Sequence, residues 1–80
     1  MSDQNRKIIW ELNQKDLTNI RYASALLDMA ISEKADDLPY ALEQAKKVQK
    51  IAARQSREKG SIDFANLYWK ATLMRAPYVF

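Results

Sequence analysis

The sequence predicts an all-α fold, a small three-helix up-down bundle with a short N-terminal element. Its 80 residues include one glycine and two prolines, too few for a sheet with many tight turns. Apolar residues also recur at helical spacing through three long segments, at about 14–34, 38–59 and 62–75. Because the breaks between these segments are short, we expect neighbouring helices to run antiparallel within a single domain, 1–80.

The segment 38–59 has the clearest helical pattern. Asp36 or Asp37 is expected to cap its N-terminus, with Pro39 in the first turn and Gly60 ending it in a left-handed conformation. One broad face is apolar and rich in small side chains, so a neighbouring helix can approach closely. This face comprises Leu38, Ala41, Leu42, Ala45, Val48, Ile51 and Ala52.

The first predicted helix, at about 14–34, follows Asn13 and Asp16, whose spacing resembles a capping box with Asp in place of Glu or Gln. Its main apolar face comprises Leu17, Ile20, Ala23, Leu27, Ala30 and Ile31. Residues 6–12 before it contain three consecutive apolar residues, Ile8, Ile9 and Trp10, a run too short for periodicity to distinguish a strand from a helical turn. We expect Trp10 and one neighbouring isoleucine to hold this segment on the bundle.

The helix predicted at 62–75 is apolar around most of its circumference. Ser61 is a suitable N-cap, and only Asp63, Asn66 and Lys70 form a polar face. Such a helix lies in a large core or at an interface, and 80 residues cannot supply a large core. We therefore predict that the chain forms a two-fold dimer through this helix.

The predicted interface consists of large apolar and aromatic side chains of this helix and of the C-terminal tail. They are Phe64, Leu67, Tyr68, Trp69, Leu73, Met74, Tyr78 and Phe80. Some of them must face the protomer's own core, and the sequence leaves open which. The tail is expected either to fold back over the core or to contact a partner.

Positive charge is concentrated on the central helix. The formal net charge is +3, whereas residues 38–60 hold six basic and two acidic side chains. A basic stripe lies opposite the apolar face and comprises Lys46, Lys47, Lys50, Arg54 and Arg57. Three interpretations stay open: a solvated helix back, contacts with nucleic acid, or an acidic protein partner.

The composition excludes several kinds of chemistry. The chain has no cysteine and no histidine, which excludes disulfides, thiolate chemistry and histidine-dependent catalysis. With Gly60 as its single glycine, it has no glycine-rich phosphate loop. Glu33, Asp36 and Asp37 form an acidic cluster that helix capping and solvation explain better than a metal site. We expect no catalytic residue, cofactor, metal ion or small-molecule substrate.

The predicted function is therefore that of a non-enzymatic protein–protein interaction module: a regulator, inhibitor or accessory subunit that acts by binding a partner protein. The alternative is a small dimeric nucleic-acid-binding regulator that uses the basic stripe. The first residues lack a signal-peptide pattern, and no apolar run is long enough to span a membrane. We expect a cytoplasmic protein without membrane contact.

Overall fold

The computed structural model describes residues 3–76, and this part of the chain contains four α-helices and no strand. The helices are α1 (Asp3–Asn13), α2 (Ile20–Glu33), α3 (Leu38–Lys59) and α4 (Ile62–Arg75). The predicted all-α class is confirmed. The predicted number of three helices is wrong, because the segment taken as a short N-terminal element is itself a helix of 11 residues.

Helix α1 is attached to the bundle by Ile9, which is fully buried, and by Leu12, which packs partly against the core. Trp10 was expected to help hold this segment in place, but 64% of its surface is exposed. In a helix, residues three apart share a face, whereas adjacent residues point about 100° apart. The burial of Ile9 therefore turns Trp10 away from the core.

Helix α2 begins at Ile20 rather than near residue 14. Its N-cap is Asn19, whose side chain accepts a hydrogen bond of 2.9 Å from the backbone N–H of Arg21. Asp16 makes a local turn instead of a capping box, accepting hydrogen bonds from the Thr18 hydroxyl at 2.6 Å and the Thr18 backbone N–H at 3.0 Å. These bonds, the hydroxyl one foremost, lower the pKa of Asp16 below its ordinary value of 3.8.

Consecutive helices run antiparallel. Asn5, near the start of α1, contacts Glu33 at the end of α2, and Gln49 in α3 contacts Thr72 near the end of α4. Between α2 and α3 the connection is only four residues long. The up-down arrangement predicted for three helices therefore extends over four.

The core lies where α2, α3 and α4 meet, and α1 packs on α2. Close contact is possible because alanines supply much of the fully buried surface: Ala23, Ala30, Ala41, Ala45, Ala52 and Ala71. The Cα positions extend 36 × 29 × 13 Å along the principal axes. Packed helices lie about 8–10 Å apart, so this depth holds no more than two layers, and each helix keeps a face that no other helix covers.

Both ends of α3 have the caps that the sequence predicts. Asp37 accepts a 3.2 Å hydrogen bond from the Tyr40 backbone N–H, and Gly60 adopts a φ of 60°. Ser61 then caps α4 by accepting a 3.3 Å hydrogen bond from the Phe64 backbone N–H. The sharp turn between α3 and α4 thus needs only two residues, one of which has a left-handed backbone.

Replacing Gly60 tests this turn. A Cβ added at Gly60 would have no atom within 4 Å, so the cost of Gly60→Ala lies in the backbone conformation rather than in a clash. We expect Gly60→Ala to lower the free energy of unfolding by about 1 kcal/mol, and Gly60→Asn to lower it less, because Asn tolerates the left-handed region. Urea denaturation measures both. Equal stability of Gly60→Ala and the wild type would contradict the left-handed cap.

Candidate interaction surfaces

Helix α4 divides the predicted interface residues between two environments. Phe64, Leu67 and Met74 are buried in the protomer's own core, together with Ala71. Tyr68 is half-buried against the same core. Tyr78 and Phe80 lie outside the described residues. Among the predicted residues in α4, Trp69 and Leu73 are therefore the two that the fold leaves exposed.

Three large apolar side chains remain exposed on the outside of α4. Ile62, Trp69 and Leu73 are 76%, 61% and 70% exposed. With Asn66 they fall within an arc of about 60° on a helix that turns about 100° per residue, and we name these four residues the α4 outer face. Ile62 was not among the predicted interface residues. Its spacing of seven residues from Trp69 and eleven from Leu73 was the available signal.

The ring of Trp69 is held by its neighbour. The Tyr68 and Trp69 ring centroids are 5.6 Å apart with an interplanar angle of 73°, an edge-to-face contact. Tyr68 is itself packed against the core, so this contact joins the Trp69 ring to a side chain of the core. Trp69 is thus a large, exposed side chain in contact with a ring that packs on the core.

The five cations of the basic stripe are all exposed, but they lie in three different environments. At one end, Arg54 forms an exposed ion pair with Glu58 at 3.4 Å. Arg57 lines a shallow hollow with Tyr68 near the end of α3. The three lysines of the stripe lie in a groove between α1 and α3. The stripe therefore does not form one uniform surface.

This α1–α3 groove is open to solvent and has a volume of about 500 Å³. Its lining residues are Trp10, Asn13, Tyr40, Glu43, Gln44, Lys46, Lys47 and Lys50. The groove exists because α1 packs on α2 and reaches α3 only through side chains. The sequence did not associate Trp10 with these lysines, since more than thirty residues separate them.

Polar side chains join the two walls of the groove. Asn13 Nδ2 donates to Gln44 Oε1 at 3.0 Å, and Lys47 Nζ donates to Asn13 Oδ1. At the other end, the Arg6 guanidinium lies 4.1 Å from the Tyr40 ring centroid and pairs with Asp37 at 2.6 Å. These contacts span the gap between α1 and α3 and give the groove a defined shape.

Three buried polar residues were not predicted. Gln44 and Gln55 each lie three residues after a buried alanine of α3, Ala41 and Ala52, so helical spacing already placed them on the buried side. Glu33 is fully buried and accepts a 2.5 Å hydrogen bond from Asn5 Nδ2. Of these three, Gln44 contributes to the groove, whereas Glu33 lies under the start of α1.

The acidic cluster of Glu33, Asp36 and Asp37 is divided by the fold. Glu33 points inward, and Asp37 caps α3 and pairs with Arg6. In residues 3–76, no group of three acidic side chains is placed to hold a metal ion. Nor does this part of the chain contain a helix long and apolar enough to cross a membrane.

No protein-family model, no curated protein and no solved structure gives a significant match to this chain. The α4 outer face and the α1–α3 groove are therefore the features of residues 3–76 that indicate what the chain binds.

Proposed function

We propose that this chain is a non-enzymatic protein-interaction module, a regulator or accessory subunit, whose α4 outer face binds a second copy of the chain. The observation that carries this proposal is the alignment of Ile62, Trp69 and Leu73, each more than half exposed, on one face of a regular helix. Single exposed apolar residues are common on soluble proteins, but several large ones aligned on one helix face are typical of an interaction site.

The spacing of this face suits a second copy. Ile62, Asn66, Trp69 and Leu73 are separated by four, three and four residues, the alternation that forms the seam of two packed helices. This spacing is the same in both directions along the helix. If two copies of α4 pack antiparallel around a two-fold axis, Ile62 of each copy faces Leu73 of the other, and Asn66 faces Trp69. The indole N–H of Trp69 then has the Asn66 amide oxygen as an acceptor.

The charges beside the face support the same arrangement. Asp63 and Lys70 each follow a residue of the seam, Ile62 and Trp69, and both are exposed. In the antiparallel dimer, Asp63 of one copy lies near Lys70 of the other, so opposite charges meet on both sides of the axis. Lys70 also pairs with Asp28 in its own chain, at 2.8 Å, and the dimer extends this exposed pair into a small network.

Replacing Trp69 tests this proposal. We expect sedimentation velocity over a wide dilution series to show a reversible monomer–dimer equilibrium for the wild type. Trp69→Asp should weaken dimerisation by at least about thirtyfold, since truncating a central aromatic at an interface typically costs about 2 kcal/mol or more. Trp10→Asp is the matched control, because Trp10 is 64% exposed but lies on α1. It should leave dimerisation unchanged.

A charge exchange tests the orientation of the two helices. Asp63→Lys and Lys70→Asp should each weaken self-association through like-charge repulsion, and an equimolar mixture of the two variants should form a heterodimer. In a parallel dimer, each flank of the seam faces the opposite flank of the other helix, so Lys70 would lie near uncharged Ala65 instead of Asp63. The mixture would then show no such recovery. A wild type that stays monomeric throughout the dilution series would overturn the proposal.

The non-enzymatic and cytoplasmic assignments stay predictions from the sequence. A separate observation, the α1–α3 groove with its three lysines, favours the nucleic-acid-binding alternative.

A further inference from the structure

We infer that the α1–α3 groove binds single-stranded nucleic acid, with its lysines on phosphates and Trp10 stacked on a base. This site lies apart from the α4 outer face, because its lining residues belong to α1 and α3. The inference therefore goes beyond the proposed dimerisation and does not depend on it.

The charge of the groove favours an anionic ligand. Its lining contains three lysines and one acidic side chain, Glu43. Within residues 3–76, neither Lys46 nor Lys50 lies within ion-pair distance of a carboxylate. Lys47 donates a hydrogen bond to the amide oxygen of Asn13, which is neutral, so this contact does not neutralise the positive charge that would attract an anionic ligand. By contrast, Arg54 is already paired with Glu58 in the same helix.

The aromatic residues of the groove favour a nucleic acid over an acidic peptide. Trp10 is 64% exposed beside the lysines, where a base can stack on its ring. The Tyr40 ring already carries the Arg6 guanidinium at 4.1 Å. An acidic peptide would use the lysines but would leave the Trp10 ring without a matching group. Cations beside an exposed ring suit a ligand that alternates phosphates and planar bases.

A single strand fits this geometry better than a duplex. Bases in a duplex are stacked on one another and present only their edges, so they cannot lie flat on Trp10. The groove is also a depression between α1 and α3. A depression cannot be inserted into the major groove of a duplex as a projecting helix can. A flexible strand can follow the lysines and turn one base onto the ring.

The first measurement is fluorescence anisotropy with a labelled mixed-sequence single strand, the corresponding duplex and a polyglutamate peptide. We expect the single strand to bind most tightly. If the three lysines each contact a phosphate, the logarithm of the association constant should fall with the logarithm of salt concentration with a slope of about −2. No binding at low salt, or polyglutamate binding as tight as that of the single strand, would overturn the inference.

The second measurement compares matched variants. Trp10→Ala should weaken binding of the single strand by about tenfold, the typical effect of losing one stacked base. Trp10→Phe keeps a ring that can stack on a base and should retain most of the affinity. Both changes are at the same exposed position, and circular dichroism verifies that the variants are folded. Equal affinity of Trp10→Ala and the wild type would overturn stacking in the groove.

The lysines have a matched control in the same helix. The double variant Lys46→Gln/Lys50→Gln should reduce the magnitude of the salt slope by about 1.4, corresponding to two phosphate contacts. Arg54→Gln/Arg57→Gln removes the same charge from α3 outside the groove and should change the slope much less. If the two double variants lose affinity equally, the ligand does not occupy the groove.

A spectroscopic measurement reports stacking directly. In Trp69→Phe, Trp10 is the single remaining tryptophan, so emission reports the groove alone. Titration with unlabelled single strand should quench this emission, with the same dissociation constant as the anisotropy experiment. Emission that does not change while anisotropy reaches saturation would show that the strand binds elsewhere.

Discussion

Ile9→Ala is expected to lower the free energy of unfolding by about 2–5 kcal/mol, the usual cost of removing a fully buried isoleucine side chain. Domains of ordinary stability unfold with about 5–15 kcal/mol, so this single change should remove a large share of the total. Ile9 is the fully buried residue of α1, and its side chain fixes that helix on α2. Without it, the cavity would lie directly under α1.

Urea denaturation followed by circular dichroism measures this effect, and amide exchange locates it. The matched control is Trp10→Ala, on the same helix but exposed, whose stability should stay within about 0.5 kcal/mol of the wild type. Amides of α1 should lose protection in Ile9→Ala before those of α3. If the two variants were equally stable, α1 would not be packed on the bundle, and one wall of the α1–α3 groove would be missing.

Glu33→Met is expected to act in the opposite direction and to raise the free energy of unfolding by about 1–3 kcal/mol. The Glu33 side chain is fully buried, and within residues 3–76 its Oε2 atom has no hydrogen-bond partner. A methionine of similar length fills the same space without an unsatisfied carboxylate oxygen. Asn5, which donates to Oε1, is only partly buried, so its amide can turn towards water.

Thermal and urea denaturation test this stabilisation, with Glu11→Met as the control. Glu11 is exposed on α1, and its replacement should change stability by no more than about 0.5 kcal/mol. A loss of stability in Glu33→Met would mean that Oε2 is satisfied in solution, for example by a buried water molecule. The buried carboxylate would then contribute to holding α1 in place.

Features that depend on local sequence were predictable. Asp37, Gly60 and Ser61 mark helix ends because each forms its hydrogen bond or special backbone conformation within a few residues. The alanine face of α3 was visible because helical periodicity repeats over a long segment. The same periodicity included Gln44 and Gln55, which were overlooked because glutamine is usually exposed.

Features that depend on contacts between distant segments were not predictable. The segment around Ile9 has no decisive periodicity, and it becomes a helix that packs on α2. At residues 13–19, the local turn of Asp16 and the cap at Asn19 compete successfully with the predicted capping box. In both places several local conformations have similar free energies. Small free-energy contributions from tertiary contacts or side-chain hydrogen bonds therefore decide which conformation forms.

The sequence alone determined the all-α class and the helix caps around α3. It also showed an excess of apolar side chains on α4 and an excess of cations on α3. These are properties of composition and of one helix at a time. Packing was needed to show that Phe64 faces the core while Trp69 faces outward, and that Trp10 stands beside Lys46 and Lys50. A surface built from two helices depends on their relative placement, and that placement comes from the burial of core residues such as Ile9, which is not among the residues that line the groove.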